Sequence, residues 1–173
     1  MINKDEMLFV VDEDNNPVEP MPRSIVHAQG LWHRTTSVWV MNHQKLILCD
    51  RRSIMKENDP EMWEANFGGH MAPGEDYLDN AVTELAEEIG IKARKEDLRE
   101  FGICKSDRSH SFEGNFVLLW DGNTKDLKLE EEEVEEVAWF EVGELRKIFG
   151  REDDDWVIQG HELEVLEWLE NLE

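Results

Sequence analysis

GHMAPGEDYLDNAVTELAEEIGI, running from Gly69 to Ile91, holds the clearest helix in the chain. Leu78, Val82, Leu85 and Ile89 recur at spacings of four, three and four, which predicts one apolar stripe along a helix. Pro73-Gly74 punctuates the chain before it, and Gly90 stops it. Glu84, Glu87 and Glu88 stand at i, i+3 and i+4, so their carboxylates share a helical face. At about 100° per residue, that face is expected to point roughly away from the apolar stripe. From Glu57 to Ile91 there are ten Asp or Glu and no Lys or Arg, so no cation within the stretch neutralises the helix. Like charges at this spacing cost roughly a few tenths of a kcal/mol per pair. A hard divalent cation such as magnesium or manganese, which prefers oxygen ligands, would turn that cost into binding. The plainer alternative is a solvated acidic face on a surface helix.

Outward from this helix, the chain reads as interspersed strands and helices. MLFVVDE is a short strand and DEDNNP its turn. PRSIVHAQG reads as a loop with a helical turn, and TTSVWVMN with KLILCDRR as a β-hairpin. Residues 53–62 form a polar loop, and WEANFGG reads as a short strand ending in glycines. After the helix, LREFGICKS, GNFVLLW and VEEVAWF are further strands, and VGELRKIF is a short helix. GHELEVLEWLENLE is an amphipathic helix with Leu163, Leu166, Leu169 and Trp168 expected inward. No regular βαβ repeat appears, so the expectation is an α/β sandwich with a mixed sheet, one domain over residues 1–173.

Composition narrows the function. With 173 residues and 40% hydrophobic content, the chain is long enough for a real core. No apolar run approaches the roughly 20 residues of a membrane span, and the acidic start MINKDEMLFVVDEDNN lacks a signal-peptide pattern; a cytoplasmic location and no membrane partner are expected. The net charge of −23 repels phosphate backbones, so no nucleic-acid polymer is expected as a partner. A phosphorylated substrate would have to meet a local cation. Cys49 and Cys104, each in an apolar run, read as small buried residues rather than a disulfide or zinc set. Of the seven tryptophans, Trp32, Trp39, Trp63, Trp120 and Trp139 sit in or beside strand runs and are expected in the core, with Trp63 or Phe67 as alternatives for stacking on a base.

The segment Gly69–Ile91 resembles the Nudix box: G, five residues, E, seven residues, R-E, an aliphatic, any residue, E-E, any residue, G, an aliphatic. Gly69, Glu75, Glu84, Leu85, Glu87, Glu88, Gly90 and Ile91 fall in register, and Thr83 stands where the family has Arg. The resemblance implies a Nudix-type α/β/α sandwich. It also implies Mg2+ or Mn2+ held by Glu84, Glu87 and Glu88 with help from the Gly69 carbonyl, one of these glutamates handling the attacking water. The implied chemistry is hydrolysis of a diphosphate bond in a nucleoside diphosphate derivative or similar small anion. In the family the box Arg orients the carboxylates, and Thr83 cannot.

The flanks resemble the isopentenyl-diphosphate-isomerase-like branch: HAQGLWHRTTSVWV from His27, LILCDRRSIMK from Leu46, NFGGH from Asn66 and EEVEEVAWF from Glu132. That resemblance makes Arg51, Arg52 and Lys56 candidates for gripping substrate phosphates, with Arg34 a weaker one and His70 a substrate contact. Glu113 is implied as a further metal ligand. True isomerases of the branch carry a Cys where Gly68 stands and bind a metal through three histidines and two glutamates. Here His27, His33, His70 and Glu113 echo that set, and Asn115 replaces the second acid. Three readings follow: a hydrolase, an isoprenoid diphosphate isomerase, or a ligand-binding module that Thr83 leaves without turnover. A homodimer is the candidate assembly, since dimers are frequent in such families.

Overall fold

The run HRTTSVWVM builds the central strand, β3 (His33–Met41), because its alternate side chains meet two different apolar layers. Val38 and Val40 pack with Leu48, Leu85 and Phe116 on one face of the sheet. Trp39 and Met41 pack with Ile47, Val117, Leu145 and Leu166 on the other. The computed structural model describes residues 6–172; the first five residues of the acidic N-terminal stretch and Glu173 lie outside the described residues.

In chain order, β1 (Met7–Leu8), β2 (Met21–Pro22) and α1 (Arg23–Gln29) precede β3. Then come β4 (Leu46–Arg52), β5 (Trp63–Glu64), α2 (Tyr77–Glu88), β6 (Leu98–Ser106), β7 (Ser111–Leu119), β8 (Val134–Glu141), α3 (Val142–Gly150) and α4 (Glu162–Glu170). The main sheet runs β5-β4-β3-β7-β6, and β8 pairs with β4. β3 and β7 are parallel in register from His33–Ser111 to Met41–Leu119, while the other pairs are antiparallel. The sheet is therefore mixed, with α2 on one face and α3 and α4 on the other, as the α/β/α expectation had it.

α2 begins where Asp76 caps it, its Oδ1 accepting the Leu78 N–H at 2.9 Å. Leu85 and Ile89 are fully buried beneath it, a burial that contributes ~1.5–3 kcal/mol for each side chain. The helix is rotated relative to the simple stripe reading. Asn80, Ala81, Leu85 and Glu88 are its buried residues, while Leu78 and Val82 are only partly covered. Glu88 lies about 20° around the axis from Ala81, so the acidic face borders the apolar one instead of opposing it.

Three local expectations change. WEANFGG is strand only at Trp63–Glu64; beyond it the chain touches β3 through single bridges at Phe67 and His70, because Gly68 passes tightly against the β3 backbone. On α4, Leu163 is exposed and Val165 takes the inward position with Leu166 and Leu169. Neither aromatic offered for base stacking is free: Phe67 is buried, and Trp63 stacks on Trp156 and meets Phe140 edge-on. Both cysteines are free thiols, Cys49 fully buried and Cys104 half-buried.

Candidate functional site

The carboxylates of α2 press onto the Gly68–Gly69 turn. Glu88 Oε2 accepts the Gly68 N–H at 3.0 Å. A Cβ on Gly69 would lie 2.6 Å from Glu84 Oε1, and one on Gly68 would lie 1.9 Å from the Thr36 carbonyl oxygen, so only glycine allows this approach at either position. Glu84 is partly covered, Glu88 is buried, and Glu87 lies at the exposed margin. The sequence therefore brings Glu84 and Glu88 to the glycine turn together, with Glu87 on the outer edge.

Their electrostatics follow from that placement. Burial, with the nearby charge of Glu87, pushes the Glu84 carboxyl up to about 7. Burial, with the charge of Glu84, raises Glu88 well above the ordinary carboxylate range. Two further acids from the sheet face the same space. Asp50 on β4 is 2% exposed and its Oδ1 has no hydrogen-bond partner among the described residues. Glu64 on β5 stands opposite Asp50 in the strand register. Burial, then Glu64 and Glu88, raise Asp50 well above its ordinary value. Neither Asp50 nor Glu64 was marked by the box pattern, because each lies on a strand upstream of the helix.

The chemistry of this donor set suits a hard divalent cation: Glu84 and Glu88 both meet the glycine turn, and one buried oxygen of Asp50 lacks a partner among the described residues. The Gly69 carbonyl accepts the Thr36 N–H at 3.0 Å, which leaves one lone pair for a further contact.

Asn80, which sequence reading missed, ties the helix to the turn. Its side-chain amide donates to the His70 carbonyl at 3.2 Å and approaches Glu75 and Glu84, while the Thr36 hydroxyl donates to its Oδ1. The available signal was its spacing, four and eight residues before Glu84 and Glu88 on the same line of the helix. Thr83, in place of the box Arg, is exposed and its hydroxyl bonds back to the Asp79 carbonyl at 2.9 Å, so it touches no box carboxylate.

The candidate phosphate grips separate. Adjacent residues on a strand project to opposite faces, and Arg51 turns away from α2 toward Glu61, Glu135 and Glu136. Arg52 stays on the Asp50 side, where its guanidinium donates to Glu64 at 2.6 Å. Lys56 pairs with Glu133, and its charge reaches Glu84, Glu88 and His70. Arg34 lies over the rings of Phe9 and Tyr77 and bonds Asn15.

His27, His33 and His70 form a second cluster whose ligand nitrogens all lie within 4.8 Å of one another. The Nε2 atoms of His27 and His70 are 3.0 Å apart, and the His33 and His70 rings stack at 5.1 Å. Burial depresses His33 to about 4 and holds His70 well below the usual imidazole value. Glu113 does not join the α2 carboxylates. It lies on β7 on the opposite face, among Asn115, Trp39 and His161, and takes a hydrogen bond from His161 Nε2 at 2.7 Å. A cleft of about 600 Å3 past the C-terminal end of α2, lined by Lys92, Arg99, Trp120 and Leu127, contains none of these residues.

The family model of the NUDIX domain matches residues 31–161. An isopentenyl-diphosphate Delta-isomerase of Serratia proteamaculans is 30% identical over 145 residues, covering 82% of this chain and 79% of the relative. An uncharacterised Nudix hydrolase of Clostridium acetobutylicum is 26% identical over 166 residues, covering 91% and 80%. Among solved structures, a Deinococcus radiodurans protein superposes with a TM-score of 0.74 at 19% identity, covering 95% of this chain and 99% of that one. The NUDIX domain of Shewanella oneidensis NrtR, solved with ADP ribose, does so with a TM-score of 0.59 at 13% identity, covering 87% and 98%.

Proposed function

Because this chain belongs to the Nudix family, we propose that it is a magnesium- or manganese-dependent hydrolase that cleaves a diphosphate bond in a small anionic substrate, such as a nucleoside diphosphate derivative. The observation that supports the reading is the pairing of Glu84 and Glu88 with the Gly68–Gly69 turn, one acid partly covered and one buried, with no ion pair to either among the described residues. Glu84, Glu87 and Glu88, with the Gly69 carbonyl, would hold the cation. The bound cation would supply Lewis-acid polarisation of the phosphate oxygens and a more acidic water.

The chain's own residues supply the rest. Lys56 is the cation best placed to meet a phosphate, since its charge already reaches both glutamates and His70. Phosphate oxygens would compete with Glu133 for its ammonium group. Arg52 serves the same site from Glu64, whereas Arg51 on the opposite face has no direct part. Burial raises the Glu84 carboxyl to about 7 in the metal-free chain, so its ionised form is a stronger base than an ordinary carboxylate and suits a group that accepts a proton from water. Glu113, remote from α2, is assigned no role in this step.

Isomerisation of an isoprenoid diphosphate is the second reading, favoured by the His27, His33 and His70 cluster, and by the ligand echo described from sequence. Gly68 in place of the isomerase Cys argues against it, because the reaction loses its thiol. The test is a magnesium-dependent assay on a panel of nucleoside and isoprenoid diphosphates. Released phosphorylated fragments support hydrolysis. Double-bond migration supports the isomerase, and saturable binding without turnover supports a ligand-binding module.

A further inference from the structure

We propose that Asp50 of β4 is a ligand of the divalent cation held by α2, so that the cation site is shared between the helix and the sheet. The inference rests on the metal-dependent reading above and extends it to a residue outside the box. Asp50 is buried at 2% exposure, and its Oδ1 has no hydrogen-bond partner among the described residues. Its side chain lies on the face turned to α2, two residues along β4 from Leu48, which packs with Ala81 and Leu85. Glu64 faces it across the strand pair, and the charges closest in effect are those of Glu64, Glu88, Arg52 and Lys56.

The two cations in reach are already engaged. Arg52 is held by Glu64 and by the carbonyls of Asn58 and Asp59, and Lys56 by Glu133. An acid buried without a donor is costly, and a strand position packed against a helix ordinarily carries an apolar side chain. A hard cation between Glu88 and Asp50 supplies the missing partner for Oδ1 and relieves the repulsion among the acids. It also answers a shortage on the helix side. Glu87 lies at the exposed margin and the Gly69 carbonyl is shared with Thr36, so a ligand from the sheet completes an oxygen set that the helix alone leaves open. A cation seated there lies within the reach of Lys56, the expected point of phosphate entry.

The experiment is a titration of Mn2+ into wild type and Asp50→Asn, following the free ion by electron paramagnetic resonance, with thermal unfolding in EDTA as a fold control. Asn keeps the size and polarity of Asp but offers no anionic ligand. The expected result is a Kd for Mn2+ raised by at least about tenfold, with Tm in EDTA equal to or above wild type. A Kd within about twofold of wild type overturns the assignment of Asp50 while leaving the hydrolase reading intact. Wild type that binds no Mn2+ removes both. If Asp50→Asn fails to fold, wild-type crystals soaked in Mn2+ decide: an anomalous peak about 2.1 Å from Asp50 Oδ1 supports the proposal. A peak on Glu84 and Glu88 with Asp50 outside its coordination sphere overturns it.

Discussion

Gly69 stands so close to Glu84 that a Cβ on it would lie 2.6 Å from the Glu84 Oε1. A Cβ on its neighbour Gly68 would meet backbone instead, 1.9 Å from the Thr36 carbonyl oxygen. The two glycines therefore predict different failures. Gly69→Ala pushes aside a flexible carboxylate and should weaken Mn2+ binding and turnover by about tenfold or more with a modest change in Tm. Gly68→Ala forces the 67–70 segment off β3 and should lower stability first, by roughly 1–3 kcal/mol. Unfolding curves in EDTA, run beside Mn2+ titrations, separate the two; equal Tm losses for both variants would contradict this division.

The acids at the site make stability depend on pH in a defined direction. The Glu84 carboxyl sits near 7 in the folded chain against 4.5 for an ordinary solvent-exposed Glu, raised by burial and then by Glu87. A carboxyl with a raised folded value favours the fold when protonated, so its contribution is complete below pH 4.5 and is lost as pH rises through about 7. Glu88 and Asp50 shift in the same direction. Metal-free protein should therefore lose stability between these limits, and added Mg2+ should restore more of it at pH 7.5 than at pH 5. A magnesium-induced rise in Tm that is larger at the lower pH would count against a cation on these groups.

Much of this was legible before the fold was known, and the gaps have physical reasons. The box spacing marked Glu84, Glu88 and Gly69, which the fold brings together, and Glu87, which it leaves on the outer edge, because fixed offsets on one helix translate directly into shared geometry. The strands of β3, β4, β6, β7 and β8 followed from β-rich apolar runs. The rotation of α2 was missed because the apolar stripe counted Leu78 and Val82 and passed over the small Ala81, which the fold buries fully. Asp50 and Glu64 were invisible, since their convergence depends on pairing between β4 and β5. Arg51 and Arg52 were grouped as neighbours in sequence, although a strand sends them to opposite faces. Glu113 was misplaced in the same way, by the face of β7 it occupies.

Burial also ranks the box glutamates. Glu88 is 7% exposed and holds the Gly68 N–H, whereas Glu87 lies at the margin. The Glu87→Gln/Glu88→Gln double variant should lose at least about tenfold in rate. Most of that loss should already appear in Glu88→Gln alone. Because Gln keeps an acceptor for the Gly68 N–H and brings no acid to be buried, Glu88→Gln should unfold in EDTA no more readily than wild type. Steady-state rates for both single variants check the order, and a larger loss from Glu87→Gln would place the cation at the outer edge of the helix.

The histidine cluster sets the acid side of the profile. His33 is held to about 4, mainly by burial, against 6.5 for an ordinary solvent-exposed imidazole, and His70 is lowered for the same reason, with Arg23 adding to it. An imidazole with a depressed folded value stabilises the fold while neutral. That contribution is complete above pH 6.5 and is lost as pH falls toward 4. It runs opposite to the carboxylate effect over an overlapping range, so the two must be separated by substitution. His70→Ala removes one of the three rings, and the acid-side loss of Tm between pH 6.5 and 4 should shrink, while the alkaline-side loss assigned to Glu84 persists. In turnover, His70 as a substrate contact predicts a KM raised by about fivefold with kcat nearly unchanged, the pattern of lost uniform binding. A collapse of kcat with KM unchanged would instead put His70 in the chemical step and shift weight to the isomerase-like reading.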